Sequence, residues 1–155
     1  MPCNVINNAG FEAGLESWYP SSGSQASIVT GDGNAYAGNS YLDLETTTLN
    51  PGGFITQDLY WLDDANEHKL TVAVQIRDPI PTTGSCIVSA FLGSDPEAGE
   101  FASDIIWNGG EWVLLQGSVQ PTERDTTINL AATCTFEGEA TAVHVLWDDV
   151  VFDDC

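Results

Sequence analysis

Basic residues are nearly absent from this chain. Its 155 residues include 3 Lys plus Arg against 23 Asp plus Glu, which gives a formal net charge of −20. Nucleic-acid affinity depends on Lys and Arg that displace counterions from phosphates, and anionic lipid surfaces attract the same residues. We therefore expect no nucleic acid as a partner and no attraction to anionic membranes. Uncharged partners such as sugars, and cations, remain open.

Long apolar runs are missing as well. No stretch approaches the roughly 20 apolar residues of a membrane-spanning helix, and no signal peptide is recognisable, so we expect no membrane insertion. The start Met1-Pro2-Cys3 is typical of a mature or excised domain with an added initiator, which suggests a part of a larger secreted protein. A hydrophobic content of 43% and this length fit one globular domain, residues 1–155, with its own core.

The familiar catalytic motifs are absent too. The two histidines, His68 and His144, show no HExxH spacing, and no GxSxG elbow occurs. Two facing carboxylates suffice for glycoside hydrolysis, but among 23 acidic residues some pair will always look suitable. We therefore expect no enzymatic activity, and a small glycan-active enzyme is the third of three functional hypotheses.

The four cysteines are widely spaced and include no CxxC pair, which argues against zinc binding and thioredoxin-like redox chemistry. Two disulfides formed in an oxidising compartment explain them better, which predicts a secreted or extracellular protein. Three pairings are possible. We favour Cys3–Cys155, which would tie the terminal strands, and Cys86–Cys134, which would join two strands in the middle of the chain.

Period-2 alternation recurs along the chain, and no stretch has sustained helical periodicity. The clearest case is 70–77, where Leu70, Val72, Val74 and Ile76 alternate with smaller or polar residues. An Asn108-Gly109-Gly110 turn predicts a hairpin. Eight to ten strands without helix predict an all-β, antiparallel β-sandwich of jelly-roll type. The predicted strands are 3–6, 26–30, 40–45, 54–59, 70–77, 85–92, 105–107, 111–119, 126–134 and 144–155.

Two carboxylates stand out by their neighbours. Glu12 lies between the anchors Phe11 and Trp18, and Asp148 interrupts the terminal strand. Alternation there would place Leu146, Asp148, Val150 and Phe152 on the core side, and Trp147 on the outer side. A buried carboxylate needs a partner, and a chain with three basic residues offers few. A hard cation, of which calcium is the usual extracellular case, would supply one.

The opposite side of the 70–77 strand provides a candidate ligand surface. Gln75 and Arg77 would present planar hydrogen-bonding groups there, as in many sugar-binding sites. Aromatic rings that stack on sugars would come from strand ends or outward positions, while Trp18 and Trp112 are assigned to the core. These candidate aromatic residues are Tyr60, Trp61, Trp107 and Trp147.

In this combination the chain resembles the jelly-roll carbohydrate-binding modules of families 4, 9 and 22, including cysteine-containing versions from secreted fungal proteins. The opening motif paired with the closing one is the most specific part. The motifs that carry the resemblance are Asn7-Asn8-Ala9-Gly10-Phe11-Glu12 with Trp18, Gly38-Asn39-Ser40-Tyr41-Leu42, Gly53-Phe54-Ile55-Thr56-Gln57, the 70–77 strand and Asp148-Asp149-Val150.

The resemblance implies a structural Ca²⁺ held by Glu12 and Asp148, with backbone carbonyls near Asn7 and Asn39. It also implies a sugar groove on a concave sheet face that includes Gln75 and Arg77, although Ala73 and Gln75 occupy positions that are often aromatic in the family. The first hypothesis is thus a secreted, non-catalytic polysaccharide-binding module. The second is a structural or adhesive cell-surface domain that has lost glycan binding.

Overall fold

The computed structural model of the chain describes residues 3–77, 85–107, 110–136 and 142–154. Ten strands and one short helix lie in these ranges. The one helix in these ranges has four residues, which is too short to span a membrane. The elements are β1 Tyr19–Pro20, β2 Gln25–Thr30, β3 Ser40–Thr47, β4 Gly52–Leu59, β5 His68–Arg77, β6 Ser85–Leu92, α1 Pro96–Gly99, β7 Glu100–Trp107, β8 Val113–Val119, β9 Thr126–Thr135 and β10 Ala142–Asp153.

The strands form two five-stranded sheets packed face to face. Sheet I has the order β1-β4-β9-β6-β7, and sheet II has the order β2-β3-β10-β5-β8. Each neighbouring pair is antiparallel. The predicted antiparallel β-sandwich is therefore confirmed.

The core lies between the sheets and agrees with the alternation in the sequence. On β5, Leu70, Val72, Val74 and Ile76 are all buried in the core cluster. Leu42 and Leu44 of β3 join them, as the pattern predicts. Each such side chain stabilises the fold by about 1.5–3 kcal/mol when fully buried.

The cysteines and the chain ends bring distant strands together. Cys86 and Cys134 lie opposite each other on β6 and β9 and form the predicted disulfide, with an S–S distance of 2.03 Å. Cys155 lies outside the described residues, so the Cys3–Cys155 pairing stays a prediction. The predicted first strand is reduced to a bridge between Asn4 and Asp153, which still joins the two ends of the chain.

The hairpin predicted around 108–110 is wrong. The strand before it, β7, is at the edge of sheet I, whereas the strand after it, β8, is at the edge of sheet II. The connection therefore crosses between the sheets instead of folding back within one. Between β6 and β7 the chain forms the short helix α1, and β7 begins directly after it.

The alternation of side chains along the terminal strand β10 is interrupted by a β-bulge. Trp147 points into the core and is 0% exposed, whereas Asp148 is buried on the other face of sheet II. The register shifts between Asp148 and Val151, and Asp149 adopts a left-handed φ of 51°. This extra residue returns Val150 and Phe152 to the core. The predicted outward Trp147 and core-facing Asp148 are both wrong, because the prediction assumed an uninterrupted alternation.

Candidate functional site

The opening loop is held by two buried rings and one asparagine. Phe11 and Trp18 are buried with centroids 5.5 Å apart, and Trp18 Nε1 donates to the Asn8 carbonyl at 3.2 Å. The Asn8 side chain donates to the Gly14 and Glu16 carbonyls. With Phe11 fixed in the core, the next residue, Glu12, must point out of it.

Glu12 reaches across to the segment before β3. Its Oε1 accepts from the N–H groups of Asn39 at 2.6 Å and Ser40 at 3.1 Å. The Asn39 N–H, the strongest influence, holds the pKa of Glu12 below its ordinary value. Gly38 has φ 64°, which glycine adopts without strain, and a Cβ there would displace the Glu12 carboxylate.

Asp148 approaches the same segment from sheet II. Its Oδ2 accepts from the Ala37 N–H at 3.0 Å, and its Oδ1 accepts from the Asp149 N–H at 2.7 Å. Asp148 Oδ1 and Glu12 Cγ each lie 3.8 Å from where Gly10 would carry a Cβ. Burial raises the pKa of the Asp148 carboxyl, although the two N–H groups partly oppose this. The structure thus brings both predicted carboxylates to one place.

The charge of these two carboxylates suits a cation, and the Asn7 and Asn39 carbonyls each already accept one hydrogen bond. Neither carboxylate forms an ion pair with any residue that the structure describes. The Asn7 carbonyl accepts from Gln57 Nε2 at 2.9 Å, and the Asn39 carbonyl accepts from the Gly31 N–H at 2.9 Å. Within the described ranges, no group of three or more His, Cys, Asp or Glu side chains is assembled for a metal. A cation here would complete its shell with backbone carbonyls or water.

Residues 31–39, which we call the 31–39 loop, join this carboxylate pair to the outer face of sheet II. Asp32 accepts from Tyr41 Oη at 2.5 Å, which holds the pKa of Asp32 below its usual range. Arg77 Nη1 lies 3.9 Å from Asp32 Oδ2 and donates to Tyr41 Oη at 3.4 Å. The Arg77 side chain remains half exposed, and its guanidinium is positioned by an aromatic and an acidic partner.

Tyr41, which contacts Arg77, belongs to a cluster of three aromatic rings. Tyr36 and Tyr41 each meet Trp112 edge-on, with centroids 6.0 Å apart. Trp112 Nε1 donates to the Asn34 carbonyl at 2.8 Å, which ties the rings to the 31–39 loop. Tyr41 is buried, whereas Tyr36 is 45% exposed.

The fold and this geometry can be compared with solved structures. The chain is similar to the CBM22-1–GH10 modules of Clostridium thermocellum endo-1,4-β-D-xylanase 10B, complexed with xylohexaose, with a TM-score of 0.67 and 18% identity, over 100% of this chain and 29% of that one. It is also similar to the CBM22-1 xylan-binding domain of Paenibacillus barcinonensis Xyn10C, with a TM-score of 0.64 and 17% identity, over 94% of this chain and 90% of that one. The chain has the fold of a carbohydrate-binding module.

A third neighbour belongs to another family of such modules. TmCBM61, solved with β-1,4-galactotriose, matches with a TM-score of 0.61 and 16% identity, over 98% of this chain and 99% of that one. The sequence matches no family model, and no curated protein matches it either. The predicted resemblance to jelly-roll modules such as those of family 22 is therefore confirmed at the level of the fold.

Gln75 has a structural role in this fold. It lies on the outer face of sheet II but is only 4% exposed. Its Oε1 accepts from Asn34 Nδ2 at 2.7 Å, and its Nε2 donates to the Gly110 carbonyl. Both ends of the amide are thus occupied, so Gln75 anchors the 31–39 loop and the turn before Trp112.

The six predicted ligand-binding residues do not share one surface. Trp61 is 85% exposed on the β4–β5 connection. Tyr60 is 66% exposed on the β4–β5 connection, and Trp107 is 68% exposed at the end of β7 in sheet I. Trp147 is in the core, so its predicted ligand contact is wrong. Gln75 and Arg77 are left together on sheet II, where only Arg77 is accessible.

The sequence analysis missed Asp32, Tyr36, Tyr41 and Trp112. Asp32 belongs to a turn-forming stretch, which predicts a loop and nothing of its contacts. Trp112 was assigned to the core, but the structure places it half-buried beside Tyr36 and Tyr41. No local signal marks these residues, because three separate segments contribute to the cluster.

A histidine–carboxylate pair extends the polar part of this face. His144 lies opposite Arg77 and Glu45 in the sheet, and its Nδ1 lies 2.9 Å from Asp43 Oδ1. The hydrogen bond to Asp43 raises the pKa of His144, although burial and Arg77 oppose this. The folded state therefore holds the His144 proton more tightly than the unfolded state does.

We expect His144→Gln to destabilise the protein by about 1 kcal/mol at pH 5 and by much less at pH 9. Because the folded pKa is raised, the contribution is fully present below the unfolded pKa and is lost as pH rises through the folded pKa. Urea unfolding of wild type and variant at both pH values measures this. Asp43→Asn removes the partner of His144 and should therefore show the same pH-dependent loss of stability as His144→Gln. An equal loss at both pH values would contradict the prediction.

Proposed function

We propose that this chain is a non-catalytic carbohydrate-binding module that binds a polysaccharide on the outer face of sheet II. One observation carries the proposal, namely the aromatic cluster of Tyr36, Tyr41 and Trp112 beside the half-exposed Arg77. Exposed rings stack on the apolar faces of sugars, and fixed planar groups hydrogen-bond their hydroxyls. The shared fold supports the proposal, since neighbours were solved with xylohexaose and β-1,4-galactotriose.

We also propose a structural Ca²⁺ between Glu12 and Asp148. The support is a fully buried carboxylate without a cationic partner among the described residues, next to a second carboxylate. Bound calcium would neutralise this charge. Even without calcium, Glu12 and Asp148 accept hydrogen bonds from the N–H groups of Ala37, Asn39 and Ser40. These bonds fix the end of the loop that carries Tyr36.

The proposed setting is extracellular. The Cys86–Cys134 disulfide suits an oxidising compartment. The chain spans 29% of the xylanase chain that it matches, in which the module accompanies a second one. We propose by analogy that this module is also part of a larger secreted protein, in which it would hold a partner domain near its polysaccharide.

A matched pair of tyrosines tests the sugar site. Tyr36→Ala should weaken binding to the glycan that wild type retains at least tenfold, which corresponds to about 1.4 kcal/mol. Tyr60→Ala removes a ring that is more exposed, 66% against 45%, and lies on the β4–β5 connection outside the cluster, so it should leave affinity unchanged. A glycan array with calcium present selects the glycan, and calorimetry measures the affinities. Equal losses in both variants would contradict the site.

A structural or adhesive domain is the second candidate function. The observation that favours it is the burial of Gln75 beneath the 31–39 loop, which leaves less of sheet II open to a ligand. This candidate predicts no glycan retention on an array that includes xylan and galactan. It also predicts that calcium-dependent melting is intact, because the carboxylate pair does not require a sugar.

A further inference from the structure

Two aromatic rings are displayed at the end of the sandwich where β4 and β8 finish. Tyr60 is 66% exposed and Trp61 is 85% exposed. The residues on either side of the pair, Leu59 and Leu62, are buried in the core. The two rings thus lie at the surface between anchored neighbours. Exposed tyrosine and tryptophan side chains are the residues on which protein interfaces most often depend.

The backbone at Trp61 is fixed in an unusual conformation. Its φ is 59°, in the left-handed region that bulky residues rarely adopt. The Trp61 N–H donates to Asp125 Oδ1 at 3.1 Å. The next N–H, that of Leu62, donates to the Arg124 carbonyl at 2.9 Å. A conformation of this kind persists only where the surrounding contacts impose it, and such positions are frequent at binding sites.

A cleft of about 380 Å³ lies beside residues 120–125, which connect β8 to β9 and which we call the 120–125 loop. Leu92 and Val119, which pack against the core, form apolar parts of its lining. Gln120 also lines the cleft, and its Nε2 donates to the Asp64 carbonyl at 3.0 Å, which joins the cleft to the segment that carries the two rings. The carboxylates in the lining are Asp95, Glu100 and Glu123.

The charge at this end of the molecule is negative. None of the three cleft carboxylates forms an ion pair with a residue that the structure describes. Arg124 is the only basic residue in the segments 60–67, 93–100 and 120–125, and its Nε already lies 3.4 Å from Asp64 Oδ1. A partner with cationic groups is therefore attracted to this end, whereas an acidic partner is repelled.

A lysine or arginine side chain matches the rings and the cleft together. Its apolar stem can lie on Leu92 and Val119 while its charged head reaches the carboxylates. A guanidinium or an ammonium group is also attracted to the face of an aromatic ring such as that of Trp61. An amino sugar carries its charge directly on the ring and has no such stem, and a bare cation gains nothing from apolar walls.

We propose that this end of the sandwich is an interaction surface for a segment of another protein that is rich in arginine or lysine. Trp61 and Tyr60 would pack against cationic side chains, and the cleft would take a further one. The surface goes beyond the function proposed above and shares no residue with the sugar site. A second copy of the chain is a poor partner, because its net charge is −20 and it has three basic residues.

The test is an NMR titration of the protein with a peptide of alternating arginine and glycine residues. The indole N–H signal of Trp61 and the backbone amides of Leu62 and Asp125 should shift. The same peptide with citrulline, a neutral isostere of arginine, should leave these signals unchanged at equal concentration. A hexamer of glucosamine is titrated in parallel and should also leave them unchanged.

Two matched pairs of variants separate this surface from the general attraction of a basic peptide to an acidic protein. Trp61→Gly, in which glycine keeps the left-handed φ without strain, should weaken peptide binding about tenfold. Trp107→Ala removes a ring that is 68% exposed at the far end of β7 and should have no effect. Glu123→Gln should weaken binding about threefold. Glu111→Gln removes the same charge beyond the other end of β8 and should have no effect.

Four results would overturn the proposal. The first is a titration in which the arginine peptide shifts none of these signals. The second is equal binding of the citrulline peptide, since charge would then not matter. The third is an equal effect of both members in either pair of variants, because the attraction would then be general. The fourth is a shift with the glucosamine hexamer alone, since the partner would then be an amino-sugar polymer.

Discussion

Replacement of Trp147 by alanine is expected to lower the free energy of unfolding by about 3–5 kcal/mol. Trp147 is 0% exposed in the core between the sheets, so truncation leaves a cavity that the surrounding strands can fill only in part. For a domain of this size the change corresponds to a fall in Tm of roughly 10 °C. Thermal and urea unfolding measure both quantities.

Trp107→Ala is the matched control, because it removes the same ring from a position that is 68% exposed. Its effect on stability should stay within about 0.5 kcal/mol, as for most surface changes. Trp147→Phe should lie between the two variants, since a smaller ring still fills much of the site. A Trp147→Ala protein as stable as wild type would place this side chain on the surface and contradict the β-bulge assignment.

The second large effect is expected from calcium. At a concentration 100 times its Kd, Ca²⁺ should stabilise the wild type by about 2.7 kcal/mol relative to chelator. Asp148→Asn and Glu12→Gln should each remove most of this response, because each deletes one of the two carboxylates at Gly10. Melting curves with calcium and with chelator measure the difference.

Asp149→Asn is the control, since it removes one charge from the adjacent residue and asparagine tolerates the left-handed φ of 51° there. It should keep the calcium response of the wild type. In chelator, Asp148→Asn should be about as stable as wild type, because loss of the buried uncompensated charge is offset by loss of one of the two acceptors for the Ala37 and Asp149 N–H groups. A full calcium response in Asp148→Asn would show that the ion binds elsewhere.

The pH dependence of stability without calcium independently checks that the Asp148 carboxylate is buried. Burial raises the folded pKa of Asp148, so the folded state binds its proton more tightly than the unfolded state. Between the two pKa values this residue's contribution to stability therefore falls as pH rises. Asp148→Asn should remove that part of the pH profile in chelator, whereas Asp149→Asn should keep it.

Local patterns were sufficient to predict the sandwich. Leu70, Val72, Val74 and Ile76 alternate without interruption, and so do the residues around Leu42 and Leu44, so their facing could be deduced from the period of a strand. Phe11 and Trp18 were predicted as anchors because large apolar rings must be buried wherever the loop goes. Cys86 and Cys134 were also paired correctly from strands whose alternation placed them on buried faces.

The sequence by itself thus determined most of the strands, most of the core and the two acids that the fold brings together. The tertiary structure decided which residues of sheet II are accessible, because the 31–39 loop covers Gln75 and assembles Tyr36, Tyr41 and Trp112 from distant segments. It also decided that Trp147 points into the core and Asp148 points to the other face of sheet II. One extra residue at Asp149 interrupts the alternation, so the core positions are odd-numbered before the bulge and even-numbered after it. Alternation is local, but a bulge is fixed by pairing with β5, and such pairing depends on contacts between residues far apart in the chain.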